Sequence, residues 1–244
     1  MAISGTGPIG PVFLDNEITG NHAGLQGGGI YVELVARATV ERCRIAENSS
    51  DGSAGGVSMV GDLLLTSFDV VFIKNSVIAR NTAVTNGGGM RLSFIGGVFQ
   101  NVTMVDNVAS GGGGGVDASQ SDGYFFTNSI LWGNRSSDPD LLSQQVLATA
   151  FGLPLVDYSN VEGLGSFLAN ISEDPLFRNP GAADYHLTYR SPCRDAGDPV
   201  FVIQPGEQDI DNQDRIFGGR IDMGADEYAF DEAVLLGASG AKPR

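Results

Sequence analysis

The feature that most constrains this chain is a repeat. An apolar residue, two variable residues and an asparagine recur as Ile18–Asn21, Ile45–Asn48, Ile78–Asn81, Met104–Asn107 and Leu131–Asn134. The asparagines stand 27, 33, 26 and 27 residues apart. Glycine runs closing on an apolar residue follow the first four, as Gly27-Gly28-Gly29-Ile30, Gly55-Gly56-Val57, Gly87-Gly88-Gly89-Met90 and Gly111 through Gly115-Val116. Two markers sharing one irregular period define a structural unit. Between them β-branched and aromatic residues alternate, as in Tyr31-Val32-Glu33-Leu34-Val35 and Val70-Val71-Phe72-Ile73, which is the period of strands and not of helices. Asn and Gly are expected at the corners, because both tolerate positive φ. Short strands without a crossover helix predict an all-β parallel β-helix, each coil ~4.8 Å above the last. The usual strand-crossover rule makes it right-handed. A propeller blade needs ~40 or more residues per repeat, and the Leu-x-x-Leu-x-Leu frame of a leucine-rich horseshoe is missing.

Aligning the repeats predicts the register. Phe13, Val40, Ile73, Phe99 and Phe126 form one apolar column. Asp15, Arg42, Asn75, Asn101 and Asn128 form a second, partly an asparagine ladder, and Asn16, Cys43, Ser76, Val102 and Ser129 a third. Neighbouring coils then carry complementary charges at Asp15/Arg42, Glu17/Arg44, Glu41/Lys74 and Glu47/Arg80/Asp106. Asn101 is expected to point inward and Thr103 outward. The long interval holds about six extra residues, assigned to Gly61–Ser67.

Composition narrows the function. Glycine, 35 of 244 residues, is about twice its usual share, while only 10 prolines rule out collagen and proline-rich linkers. The net charge of −15 argues against nucleic-acid partners and against docking on an anionic membrane. No apolar run reaches the ~20 residues of a spanning helix, so membrane insertion of this segment is not expected. The opening residues lack the basic and apolar regions of a signal peptide, and the short lead into Phe13 reads as a fragment of a longer chain. Two cysteines make no disulfide scaffold and no paired metal motif.

Residues 1–156 are read as coils, 157–232 as acidic final rungs and an irregular cap, and 233–244 as a tail. The stretch 157–232 carries sixteen acidic and five basic residues. It reads Asp174-Pro-Leu-Phe177, Asp184-Tyr-His-Leu187, Ser191-Pro-Cys-Arg-Asp195, Asp209-Ile-Asp211-Asn-Gln-Asp214-Arg215 and Ile221-Asp-Met-Gly-Ala-Asp226-Glu-Tyr228. The Asn/Gly-rich coils resemble bacterial right-handed parallel β-helix repeat proteins, including the polymorphic outer-membrane protein type. The ending resembles the C-terminal part of secreted proteins that carry a choice-of-anchor module. The resemblance implies export and residence outside the cell or on the bacterial surface. It implies no reaction, because the fold carries lyases, epimerases, adhesins and stalks alike. The ending is expected to cap the solenoid and protect its open strand edges.

Three sets of residues carry candidate chemistry. Counting two and four from each glycine run puts Tyr31, Ser58, Arg91 and Asp117, then Glu33, Val60, Ser93 and Ser119, on one outer face. Tyr31, Glu33, Arg91 and Asp117 could grip a glycan, with Arg91, Asp117 and Glu33 as the catalytic candidates of a lyase, which needs a cation and a base. Against that stands an ordinary Arg91–Asp117 salt bridge between coils. Asp209, Asp211 and Asp214 could supply the oxygens that Ca²⁺ prefers, the one cofactor suggested; the alternative is an acidic loop held by Arg215 and Arg220. Gly5-x-Gly7-x-x-Gly10 matches a dinucleotide fingerprint only by letters, without its strand and helix. Cys43 is expected to be buried and inert, Trp132 to lie at the surface, and His22 and His186 to be isolated. The leading expectation is a non-enzymatic, secreted or cell-surface module presenting a rigid face to a polysaccharide or cell-surface glycan. The alternatives are a polysaccharide lyase or epimerase on the Tyr31/Glu33/Arg91/Asp117 face, or a bare stalk.

Overall fold

A computed structural model describes residues 2–4, 10–33, 37–61, 70–121, 123–148 and 155–229, with the side chain of Ser119 also outside the description. The Gly61–Ser67 insertion beyond Gly61, the Gly5-x-Gly7 motif and the 233–244 tail lie outside the described residues.

The chain winds into a parallel β-solenoid with three strand-bearing faces. The first face stacks Ala2–Ser4, Ile30–Glu33, Val57–Val60, Met90–Ser93, Val116–Gln120 and Val146–Leu147. The second stacks Val12–Leu14, Arg37–Glu41, Val70–Ala79, Gly96–Val105, Tyr124–Thr127 and Leu155–Asp157. The third stacks His22–Ala23, Ser49–Ser50, Thr82–Ala83 and Val108–Ala109. Among the described residues every strand pairing between coils is parallel, and the one antiparallel strand pair lies in the ending. Ala2–Ser4, in the lead before Phe13, pairs with Ile30–Glu33.

The predicted columns are present. Phe13, Val40, Ile73, Phe99 and Phe126 sit in register and are buried, and the rings of Phe99 and Phe126 stack 4.4 Å apart. Such an aromatic pair adds about 0.5–1.5 kcal/mol beyond its burial. Asp15, Arg42, Asn75, Asn101 and Asn128 form a corner, all at positive φ between 47° and 55°.

The second corner departs from expectation. Positive φ falls on the residue before each repeat asparagine, at Gly20, Glu47, Arg80, Asp106 and Gly133. The asparagines themselves point inward. Nδ2 of Asn21 donates to Oδ1 of Asn48 at 2.9 Å, Asn48 to Asn81 at 3.0 Å, Asn81 to Asn107 at 2.9 Å and Asn107 to Asn134 at 2.9 Å. Each Oδ1 also accepts the backbone N–H of the preceding asparagine. Asn48, Asn81, Asn107 and Asn134 are fully buried, so this ladder satisfies polar groups that burial would otherwise penalise.

The glycine runs serve both turning and coil-to-coil approach. Ala54 replaces the first glycine of one run at φ 59°, but a Cβ on Gly27, Gly87 or Gly113, the equivalent glycines at positive φ, would meet a carbonyl oxygen at 2.5, 2.4 and 2.3 Å. A Cβ on Gly55 would stand 2.4 Å from the Thr82 carbonyl oxygen of the following coil.

The irregular ending, expected to close the end of the solenoid, covers a flank of the coils. Val77, Ala79, Val105 and Ile130 pack outward against Tyr185, Leu187, Cys193, Met223 and Ala225. Tyr185 donates to Asp106 at 2.9 Å, and the N–H of Ala225 donates to Thr103 Oγ1 at 2.9 Å. Thr103 is therefore buried, not exposed as the alternation suggests. Trp132 packs partly into the same cluster. At the end of the solenoid, Leu142 from the short helix Leu141–Gln145 and Leu164 pack on the central core. Gln145 Oε1 closes the ladder by accepting from Asn134 at 2.7 Å.

Candidate functional site

The glycan face is in register but not open. Tyr31, Ser58, Arg91 and Asp117 align across four coils. A bulge after Arg91 then brings Gln120, not Ser119, opposite Ser93. Ser58 and Asp117 are fully buried. Arg91 bridges the coils, donating to Ser53 Oγ at 2.8 Å and Gln120 Oε1 at 3.2 Å, with Nε 3.6 Å from Asp117. Tyr31 donates to Glu33 at 2.5 Å, and burial together with that carboxylate holds its phenol above the usual range. A long cation stretched across neighbouring coils buries the small residues beneath it, which is why the alternation expected of a free face breaks here. The four residues are gathered, but Tyr31 is engaged with Glu33, and Arg91 with Ser53, Gln120 and Asp117.

The three loop aspartates diverge. Asp209 is fully buried, with Oδ1 accepting from the N–H groups of Asp211 and Gln213 and Oδ2 from that of Glu227. Burial pushes its carboxyl up. Asp211 turns to His186, and Asp214 faces solvent. Arg215, also fully buried, donates to the carbonyls of Ala225, Asp222 and Gly224 and lies 4.0 Å from Glu227. Arg220 ties the loop to the carbonyls of Ala196 and Gly197.

Sequence reasoning missed the concave site. A cleft of about 360 Å³ lies between the flank of the coils and the ending. Asp15, Asn16, Glu17, Arg42 and Arg44 line one wall, and Tyr185, His186, Asp211, Asn212 and Asp226 the other. Arg42 holds Asp15 at 2.7 Å, and Arg44 reaches the Ala183 carbonyl at 3.2 Å. His186 is far from isolated. Nδ1 is bound by Asp184, and Nε2 lies 2.7 Å from Asp211. The Asp211 bond, aided by that to Asp184 and opposed by burial, raises the imidazole to about 9, so it is a cation at neutral pH. Burial raises Asp226 to about 6. No local spacing announces this group, because its members come from three separate segments of an aperiodic ending.

Cys43 and Cys193 are both buried and free, and burial pushes the Cys193 thiol up to about 12. Among the described residues no helix is long and apolar enough to cross a membrane.

The parallel coils with their inward asparagines find a counterpart among known families: residues 2–131 match the family model described as a right-handed beta helix region. The chain belongs to the right-handed β-helix family. No curated protein and no solved structure matches it significantly. Membership fixes the hand of the coils and is compatible with both a surface module and a carbohydrate-active enzyme, so the site must discriminate between them.

Proposed function

We propose that this right-handed β-helix is a non-enzymatic binding module, secreted or displayed on a bacterial surface, that holds a polysaccharide or cell-surface glycan. The observation that carries the reading is the cleft. It is concave, and it offers carboxylates, amides and guanidinium groups, which together can donate to and accept from the hydroxyls of a sugar. The Tyr31/Glu33/Arg91/Asp117 face supports the non-enzymatic side of the reading. Of its candidate bases, Asp117 is fully buried and Glu33 accepts from Tyr31, and its cation Arg91 is already engaged by Ser53, Gln120 and Asp117, which favours a holding role over action on a uronate. The bacterial and extracellular setting rests on the resemblance of the repeats and the ending.

The test is binding of the purified protein to an array of plant, algal and bacterial polysaccharides. Wild type is compared with Glu17→Ala/Asn212→Gly, which alters two exposed cleft residues, and with Arg91→Ala. Loss of a saturable signal in the cleft variant alone supports the proposal. Loss only in Arg91→Ala moves the ligand to the first face. Ultraviolet-absorbing unsaturated uronate products that vanish in Arg91→Ala replace the proposal with a lyase. Absence of any binding or product leaves a stalk and overturns it.

A further inference from the structure

One wall of the cleft gathers three groups of the kind that ligate metals. His186, Asp211 and Asp226 bring a ring nitrogen and two carboxylate oxygens within 4.8 Å of one another. Atoms bound at ~2.0–2.2 Å to one tetrahedral zinc ion stand ~3.3–3.6 Å apart, so a closure on the order of 1 Å brings the three onto a common ion. The supporting contacts are those that ligands of this type require. Nδ1 of His186 is engaged by Asp184, which fixes the ring so that Nε2 faces Asp211 and Asp226. A carboxylate behind a ligating histidine is the arrangement that orients the ring and raises its basicity. Asp226 is held by the N–H of Leu187 on Oδ2 at 2.8 Å, next to His186 in the chain. Asp211 leaves a turn pinned by the buried Asp209 carboxylate, which accepts its N–H at 2.9 Å. Three ligands set on separately anchored segments need little ordering on binding.

We infer that His186 Nε2, Asp211 and Asp226 bind a divalent first-row transition-metal ion of the zinc type at the wall of the cleft. One imidazole with two carboxylates suits such an ion better than Ca²⁺, which takes six to eight oxygens. The ion displaces the proton on His186 Nε2, which leaves to solvent, while Nδ1–H stays on Asp184. Three protein ligands leave a fourth position toward the cleft, as in open rather than closed sites. The site regroups Asp211, read from the sequence with Asp209 and Asp214, with two residues that no spacing connects to it. It does not depend on the glycan reading, and either can fail alone.

Untagged protein stripped with chelator is titrated with Zn²⁺ by calorimetry and, in parallel, by ¹⁵N imidazole NMR. The chain has two histidines, so His22 is an internal control. The expected result is one equivalent bound, with the Nε2 signal of His186 shifting and that of His22 unmoved. Asp184→Asn, which keeps the three ligands, weakens binding about 10–100-fold. His186→Ala abolishes it, and Asp214→Asn leaves it unchanged. The NMR readout needs no variant, so a failure of His186→Ala to fold does not blur the answer. Zinc that shifts His22 instead, or binding that is absent, non-saturable or indifferent to Asp184→Asn, overturns the inference.

Discussion

The coils and the ending bury polar groups in opposite ways. Inside the coils most are neutral, and the repeat asparagines each contact their equivalents one coil away. In the ending they are ionisable groups, each used once: Arg215, Asp209, Asp222 and Glu227 are all buried within a single loop system. A repeated amide ladder spreads its hydrogen bonds over many equivalent sites, while a unique buried charge cluster stakes the local fold on a few. The difference teaches that the solenoid tolerates local damage better than the segment folded along its flank.

The most severe way to break the comparison is Arg215→Met. It strips the charge opposite Glu227 and the donor of three carbonyls, and loss of one partner of a buried pair costs about 3–5 kcal/mol. Denaturant unfolding followed by Tyr and Trp fluorescence should show the ending released early, while the strand signal in circular dichroism persists. Simultaneous loss of both signals would mean the two regions fold as one unit.

A milder test is Asn107→Ala in the middle of the ladder. It removes the acceptor of the N–H and Nδ2 of Asn81, at about 1–3 kcal/mol for an orphaned buried group. The midpoint of the strand transition should fall with the ending still docked, as reported by protection of the Leu187 and Ala225 amides from hydrogen exchange. An unchanged midpoint would show that the ladder contributes nothing.

The smallest effect expected is in pH. Burial, with Asp195 adding repulsion and Arg215 opposing, raises Asp222 to about 6 in the folded protein, against a usual 3.8. The folded state therefore holds this proton more tightly than the unfolded chain. Its contribution is complete below the usual carboxylate range and is lost as pH rises through about 6. In chelator, Tm should drop by a few degrees between pH 4 and 7, and Asp222→Asn should reduce that drop. A profile as steep in the variant would assign the slope to other groups.

Much of the coil was legible because repetition writes the same residue into the same place several times. The Phe13-to-Phe126 column and the Asp15/Arg42 pair needed only an alignment of the chain with itself. Asn75, Asn101 and Asn128 do stand at a positive-φ corner, but the role of the repeat asparagines was misread, since the letter alone does not separate a corner from an inward amide. The flank contact left a fainter trace. In Val70–Ala79 and Gly96–Val105 the alternating burial gives way to a run buried on both faces. Val77-Ile78-Ala79, Thr103-Met104-Val105 and Ile130-Leu131-Trp132 are the continuous runs that a doubly covered strand shows. Nothing comparable marks His186, Asp211 and Asp226, which lie 25 and 15 residues apart and meet only because the ending folds back on itself.

The asparagine ladder also has a direction. Its side-chain-to-side-chain bonds all run toward the later coil, from Asn21 as the first donor to the Gln145 carbonyl as the last acceptor. The second hydrogen of Asn48, Asn81, Asn107 and Asn134 goes back to a backbone carbonyl of the earlier coil. The solenoid is thus a one-way thread that whole turns can enter without changing its ends. A duplicated block running from one repeat asparagine to the next would accept from the turn before it and donate to the turn after it. Length in such a protein can change in steps of one coil, by recombination or by design, while a partial block would leave an amide facing the wrong partner and be rejected at folding.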